Sequence, residues 1–244
     1  MTLTLSDVHA GYGRYSVLHG IELAVPDGDL RLIVGPNGAG KTTMCRAIFG
    51  LVRPTRGKIS VGDVDITKMS PRAMLDRGIA YVPQEPSIFP HLTVEDNLEM
   101  GLFQGAGGGG GSARATLRQV FDRFELLGRR RTSPARTLSG GERRLLELAR
   151  ALMVHPRMLL LDEPSLGLSP IMIDRILQEI TEINKQGVTI ILVEQRIKAA
   201  APVAKSISVL RLGRIVKNGT AQDAGDDQWL ADALYDPKEQ EETV

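Results

Sequence analysis

The sequence predicts an α/β domain built on a parallel sheet, and three observations carry that prediction. RMLLLD (157–162) and VTIILVE (188–194) are short apolar runs of the kind that form buried strands. Between them, IMIDRILQEITEINKQ places Ile173, Ile176, Leu177, Ile180 and Ile183 at helical spacing. LRLIV (30–34) is a third short apolar run, followed by a glycine-rich loop and a helical stretch. Strand, helix, strand in this order means a parallel sheet.

The other elements follow along the chain. TLTLSDV and VLHGIELAV alternate and turn like an antiparallel meander. Ser169-Pro170 starts the helix between the two buried strands and Gly187 stops it. Thr93-Val-Glu-Asp96 reads as another helix start. Residues from about 90 to 155 read as mostly helical, with no clear strand, and are expected to form a helical subdomain inserted in the α/β core. Within it, GAGGGGGS (105–112) is a flexible connector, either a hinge or a plain loop. ISVLRLGRIVKNG (207–219) predicts a hairpin with Gly213 at its turn. The expectation is one domain over 1–236 and a polar, acidic tail over 237–244 that frays.

Composition narrows the function classes. A chain of 244 residues, 42% hydrophobic and 24% charged, is an ordinary globular composition. A formal net charge of +1 gives no bulk electrostatic argument for nucleic acid or an anionic membrane surface. The basic run GRRR (128–131) has no stacking aromatics beside it and reads as a solvated helix end, so no nucleic-acid partner is expected. Cys45 is the one cysteine, which excludes an intrachain disulfide framework and fits a reducing compartment. His91 reads as a surface residue, and no Cys/His cluster has zinc spacing. No segment approaches the roughly 18–20 apolar residues of a membrane span, and no signal segment opens the chain. The protein is therefore expected in the cytoplasm, with any membrane role arising through a partner.

GPNGAGKTT, comprising Gly35, Pro36, Asn37, Gly38, Ala39, Gly40, Lys41, Thr42 and Thr43, matches G-x-x-x-x-G-K-[ST] between a buried strand and a helix. Its glycines let successive backbone N–H groups point inward at phosphate oxygens, and the following helix adds its N-terminal partial charge. Lys41 suits the β- and γ-phosphates, and the Thr42 hydroxyl suits Mg²⁺. At the end of RMLLLD, Asp162 can hold Mg²⁺ directly or through water. Glu163 either accepts a proton from an attacking water or merely caps the strand end.

TLSGGERRLLELARAL (137–152) holds a second device of the same kind. Ser139 and Glu142 form a capping box. Gly140 and Gly141 are costly in a helix and useful where a ligand approaches backbone. A second anion site is economical in a dimer, with the helix start of one subunit closing over the γ-phosphate held by the other.

These residues carry a resemblance. GPNGAGKTT, Gln84 in YVPQ, LSGGE, MLLLDEP and SLGLSP, in this order, make the chain similar over nearly its whole length to the ATP-binding subunits of ABC transporters. The resemblance implies a P-loop NTPase fold with a RecA-like core, an antiparallel β subdomain and an inserted helical subdomain, with ATP and Mg²⁺ as its cofactors. It implies that Tyr12 stacks on adenine beside Val17. Gln84 would reach Mg²⁺, with Thr42 and Asp162, and the attacking water. Ser139, Gly140 and Gly141 would contact the opposing subunit's ATP, and Glu163 would polarise the water. Implied partners are a second ATPase subunit (self or a related chain), membrane permease subunits on the inner face of the cell membrane and, indirectly, a substrate-binding protein. Ile88, Phe89 and Leu92 would either line a groove for a permease helix or belong to the subdomain core.

Two departures stand out. VEQR places Gln195 where the family usually has a histidine at the γ-phosphate, and Ser169 stands where many relatives have an aspartate. Glutamine donates a hydrogen bond but carries no imidazole charge. Together with GYGRYSVLHGI, YVPQEPSIFPHLTVEDNLEMG and DEPSLGLSP, these departures resemble the ATPases of branched-chain amino-acid importers and of the related urea and short-chain amide importers.

Overall fold

The structure, a computed structural model, describes residues 2–102 and 110–234. The chain opens with β1 (Leu3–Tyr12), β2 (Tyr15–Val25) and β3 (Leu30–Val34), then α1 (Lys41–Ile48). Next come β4 (Arg56–Val61), β5 (Val64–Asp65), α2 (Pro71–Asp76) and β6 (Ile79–Val82). A helical stretch follows, with α3 (Val94–Leu102), α4 (Gly110–Arg123), α5 (Glu125–Gly128) and α6 (Gly140–Leu152). Then β7 (Met158–Asp162), α7 (Pro170–Lys185) and β8 (Thr189–Val193) form a strand–helix–strand crossover. The described chain closes with α8 (Ile197–Ala200), β9 (Ser206–Arg211), β10 (Arg214–Thr220), α9 (Ala221–Ala224) and α10 (Asp227–Leu234).

The strands form two sheets. The larger has the order β10-β9-β3-β8-β7-β6, parallel except for the antiparallel β9–β10 hairpin. Gly213, at φ 73°, forms the hairpin turn with Leu212. The smaller sheet has the order β2-β1-β4-β5 and is antiparallel. The meander read in the first thirty residues is therefore the β1–β2 pair, extended by β4 on the other edge of β1.

The apolar runs are buried because both faces of the larger sheet are covered. Ile33, Leu160, Ile191 and Val193 point to a core shared with α1 and the smaller sheet. Their neighbours Leu32, Leu159, Leu161, Ile190 and Leu192 point to the opposite core, shared with α3, α4, α6 and α7. Alternation along one strand thus feeds two cores, so the runs read as continuously apolar. All five apolar residues of the helical spacing in α7 face the second core.

The elements between 90 and 155 are helices, with one isolated bridge between Thr93 and Pro134. Thr93 and Asp96 exchange hydrogen bonds that start α3. Most of the glycine-rich connector lies outside the described residues. Its last three, 110–112, begin α4, which corrects the reading of that stretch as a connector throughout. In the basic run, Arg131 makes a bidentate contact with Glu95, while Arg129 and Arg130 pair with Glu125 and Glu142. No helix among the described residues is long and apolar enough to cross a membrane.

Candidate functional site

The loop Gly35–Gly40 joins β3 to α1. Gly40 is the N-cap of α1 at φ 105°, a left-handed conformation that β-carbon-bearing residues rarely adopt. A Cβ there would also stand 2.9 Å from Leu18 and 3.4 Å from Val17, which places Val17 against the loop. The Lys41 Nζ, on a side chain only 5% exposed, donates to the carbonyls of Gly35 at 2.8 Å and Pro36 at 3.1 Å. Tyr12, at the end of β1, is 42% exposed, and its hydroxyl accepts from Arg46 of α1 at 3.3 Å. That hydrogen bond holds the Arg46 guanidinium pKa above its ordinary value.

Asp162 ends β7 beside this loop and is fully buried. Its Oδ1 accepts from the Thr42 hydroxyl at 3.1 Å and its Oδ2 from the Tyr81 hydroxyl at 3.0 Å. Burial pushes the Asp162 carboxyl up, against the pull of the two hydroxyls. Burial also raises Tyr81 and, well above its usual range, the Cys45 thiol of α1.

Glu163, directly after β7, sits in the left-handed region at φ 48°. Three donors surround that carboxylate. Gln195 Nε2 lies 2.8 Å from both oxygens, Gln84 Nε2 donates to Oε2 at 2.9 Å, and Lys41 Nζ is 3.7 Å from Oε1. The fold thus brings Lys41, Thr42, Gln84, Asp162, Glu163 and Gln195 together from four separate segments. Each segment leaves the C-terminal edge of a parallel strand, where open α/β sheets bind ligands.

Ser139 caps α6, accepting from the Glu142 N–H at 3.3 Å while Glu142 Oε2 accepts from the Ser139 N–H at 2.7 Å. The two glycines differ. A Cβ on Gly141 would meet the Met172 side chain of α7 at 2.7 Å, whereas one on Gly140 would have only Leu168 at 4.0 Å. Packing within the chain accounts for Gly141, and Gly140 faces solvent. Ligand approach is therefore not needed to explain both glycines.

The Gln84 segment is tied to α6. Arg144 donates to the carbonyls of Pro83 and Gln84 at 2.9 Å each and pairs with Glu147 at 2.8 Å. Glu147 accepts from the Ser87 N–H at 2.6 Å, and Arg150 donates to Ser87 O and Oγ at 2.6 Å each. Ile88 packs on the helical core, Leu92 is half-buried and Phe89 is exposed. His91 is exposed, in keeping with a surface position.

Sequence reading passed over Tyr81, Arg46 and Glu194 at this site. Tyr81 precedes Gln84 by three residues, and that nearness is the mark it leaves in the sequence. Among the described residues, no group of three or more His, Cys, Asp or Glu is arranged to hold a metal. The oxygens of Thr42 and Asp162 are instead the sparse, hard donor set with which Mg²⁺ is held when phosphates and water complete its shell.

The profile of the ABC transporter family matches residues 18–166. A high-affinity branched-chain amino acid transport ATP-binding protein of Pseudomonas aeruginosa, BraG, is 36% identical over 89% of this chain and 92% of its own length. The lipopolysaccharide export system ATP-binding protein LptB of Haemophilus influenzae is 33% identical over 93% of each chain. A dimeric post-hydrolysis state of the ATP-binding cassette MJ0796, bound to ADP and Pi, superposes with a TM-score of 0.78 at 26% identity, covering 90% of this chain and 98% of the other.

Proposed function

This chain belongs to the ABC transporter family as one of its ATP-hydrolysing, ATP-binding subunits, and from that premise we propose how its residues share the work. Gly35–Thr43 cradle the phosphates, with Lys41 on the β- and γ-oxygens, while Tyr12 stacks on adenine beside Val17. Thr42, Asp162 and Gln84 would hold Mg²⁺, which would supply positive charge to the phosphates. Glu163 accepts the proton of the attacking water, and Gln84 and Gln195 aim its carboxylate. The Ser139 side chain and the backbone N–H groups of Gly140 and Gly141 contact the ATP of a second ATPase subunit. Closure of the pair around ATP shifts a two-state equilibrium, and permease subunits at the inner face of the cell membrane follow it from the cytoplasmic side. A substrate-binding protein acts upstream of them.

The observation that carries this reading is the Glu163 carboxylate, held by two amides within 3.7 Å of Lys41 Nζ. A strand cap has no need of that company. The test is the Glu163→Gln variant, followed by phosphate release and by solution mass with and without ATP and Mg²⁺. Turnover is expected to fall by about 10²–10⁴, the usual contribution of a general base, and ATP is expected to convert monomer to dimer. Parental turnover in this variant would overturn the assignment of Glu163. A chain that binds ATP and stays monomeric would leave two options: a related chain as the second subunit, or a need for the permease to align the pair.

For cargo we propose branched-chain amino acids, supported by the likeness to BraG and by Gln195 and Ser169 in place of the usual histidine and aspartate. The likeness to LptB names the rival. Co-expression with each class of permease distinguishes them, because only the right one retains this chain through purification.

A further inference from the structure

The turn that carries Glu163 is held at a place that the hydrolytic roles above leave unexplained. Glu194, which follows β8, is only 2% exposed, as is Ser165. Its Oε1 accepts from the Ser165 N–H at 3.0 Å and its Oε2 from the Ser165 hydroxyl at 2.8 Å. The Glu163 N–H donates to the Val193 carbonyl at 2.9 Å, and Gln195 reaches the Glu163 carboxylate. The backbone bond from Glu163 to Val193 and the Glu194 clamp thus hold the turn from the same strand end. Glu163 itself is in a left-handed conformation, at φ 48°, which a side-chain-bearing residue adopts only when its surroundings enforce it.

Burial pushes the Glu194 carboxyl up, and the Ser165 hydroxyl, the Ser165 N–H and the Gln195 N–H oppose that shift. A carboxylate sealed from water and held by neutral donors is a poor stabilising device. What it provides is two acceptors in a fixed fork, matched to the N–H and O–H of one residue.

We propose that Glu194 and Ser165 are positioning residues for ATP hydrolysis: the Glu194 carboxylate clamps the turn at Ser165 and thereby sets where the Glu163 carboxylate points. The proposal rests on Glu163 being the proton acceptor. Adjacent residues at one strand end divide the task, with Glu194 gripping the backbone beyond Glu163 and Gln195 gripping its side chain.

The test is steady-state ATP turnover and thermal melting of Ser165→Ala, Glu194→Ala, Glu194→Gln and Ser165→Thr, with Glu163→Gln as control. Ser165→Ala and Glu194→Ala are expected to lower kcat between about tenfold and a hundredfold, the scale of a small misplacement of a reacting group. KM for ATP is expected to stay within about twofold, because ground-state binding is untouched. Glu194→Gln offers an oxygen to the Ser165 N–H and an amide to its Oγ, so it recovers most of the turnover lost in Glu194→Ala. Ser165→Thr, which keeps the hydroxyl, does the same relative to Ser165→Ala. Parental kcat in a folded Ser165→Ala protein overturns the proposal, as does a loss of kcat that tracks the loss of melting temperature across all four variants. If Glu194→Ala does not fold, Ser165→Ala decides. Parental turnover in Glu163→Gln overturns the reading of Glu163 instead, whatever the clamp variants do.

Discussion

The side-chain amide of Gln195 lies 2.8 Å from each carboxylate oxygen of Glu163, so one NH₂ group spans both acceptors. A neutral imidazole at this place offers at most one N–H to the same carboxylate. On the proposed function, glutamine here holds Glu163, a role that needs no positive charge.

Removing that holder has a measurable consequence. Gln195→Ala is expected to lower kcat by about tenfold, equivalent to ~1.4 kcal/mol of barrier, with little change in KM. Gln195→His keeps one donor and is expected to fall between alanine and the parent. Turnover above the parent for the histidine variant, measured by phosphate release, would mean that glutamine weakens the site.

The two glycines at the start of α6 separate packing within the chain from contact with a partner. Gly141→Ala drives a methyl group into Met172, 2.7 Å away, and is expected to cost about 1–3 kcal/mol in denaturant unfolding. Shortening Met172 to alanine in the same chain recovers part of that loss. Gly140→Ala meets nothing closer than 4.0 Å and leaves unfolding unchanged. In the Glu163→Gln background, Gly140→Ala is expected to weaken ATP-dependent dimer formation, read by solution mass.

Glu194 makes a pH prediction. Its carboxyl is raised in the folded chain, chiefly by burial. Between the unfolded and folded pKa the native state therefore holds a proton that the unfolded state has released. Stability falls as pH rises through that window, and the loss is complete above the folded pKa. Glu194→Gln removes the penalty, so it is expected to melt a few degrees above the parent near neutral pH. The gap closes on acidification toward the ordinary carboxylate range. A gap that does not depend on pH would show that the buried charge is not its source.

How legible these features were depends on how local their causes are. The P-loop, β3, β7, β8 and α7 announce themselves because a glycine pattern, an apolar run and a helical period are each contained in one segment. β4 has three exposed residues at its start, and β6 is only four residues long, so neither leaves a pattern that stands out from the surrounding turns. Arg144, Glu147 and Arg150 have the composition of a solvated helix face, yet Arg144 and Glu147 are buried against the Gln84 segment. The same holds for Glu194, whose only visible mark is its place beside Gln195. Gly141 requires Met172, on the next long helix of the chain, before its lack of a side chain has a reason. Charges that satisfy backbone groups across the fold are visible only once the fold is known.

Cys45 is the one thiol of the chain, sealed inside α1 one helical turn beyond Lys41. It is a built-in reporter of opening. A thiol reagent reaches it only when the packing between α1 and the sheet gives way, so the labelling rate counts those excursions directly. Ligands that favour the closed arrangement slow the count in proportion to their binding. The nucleotide-binding core can therefore be followed in the unmodified protein, without an attached dye or an engineered label, by timing how long one sulfur stays hidden.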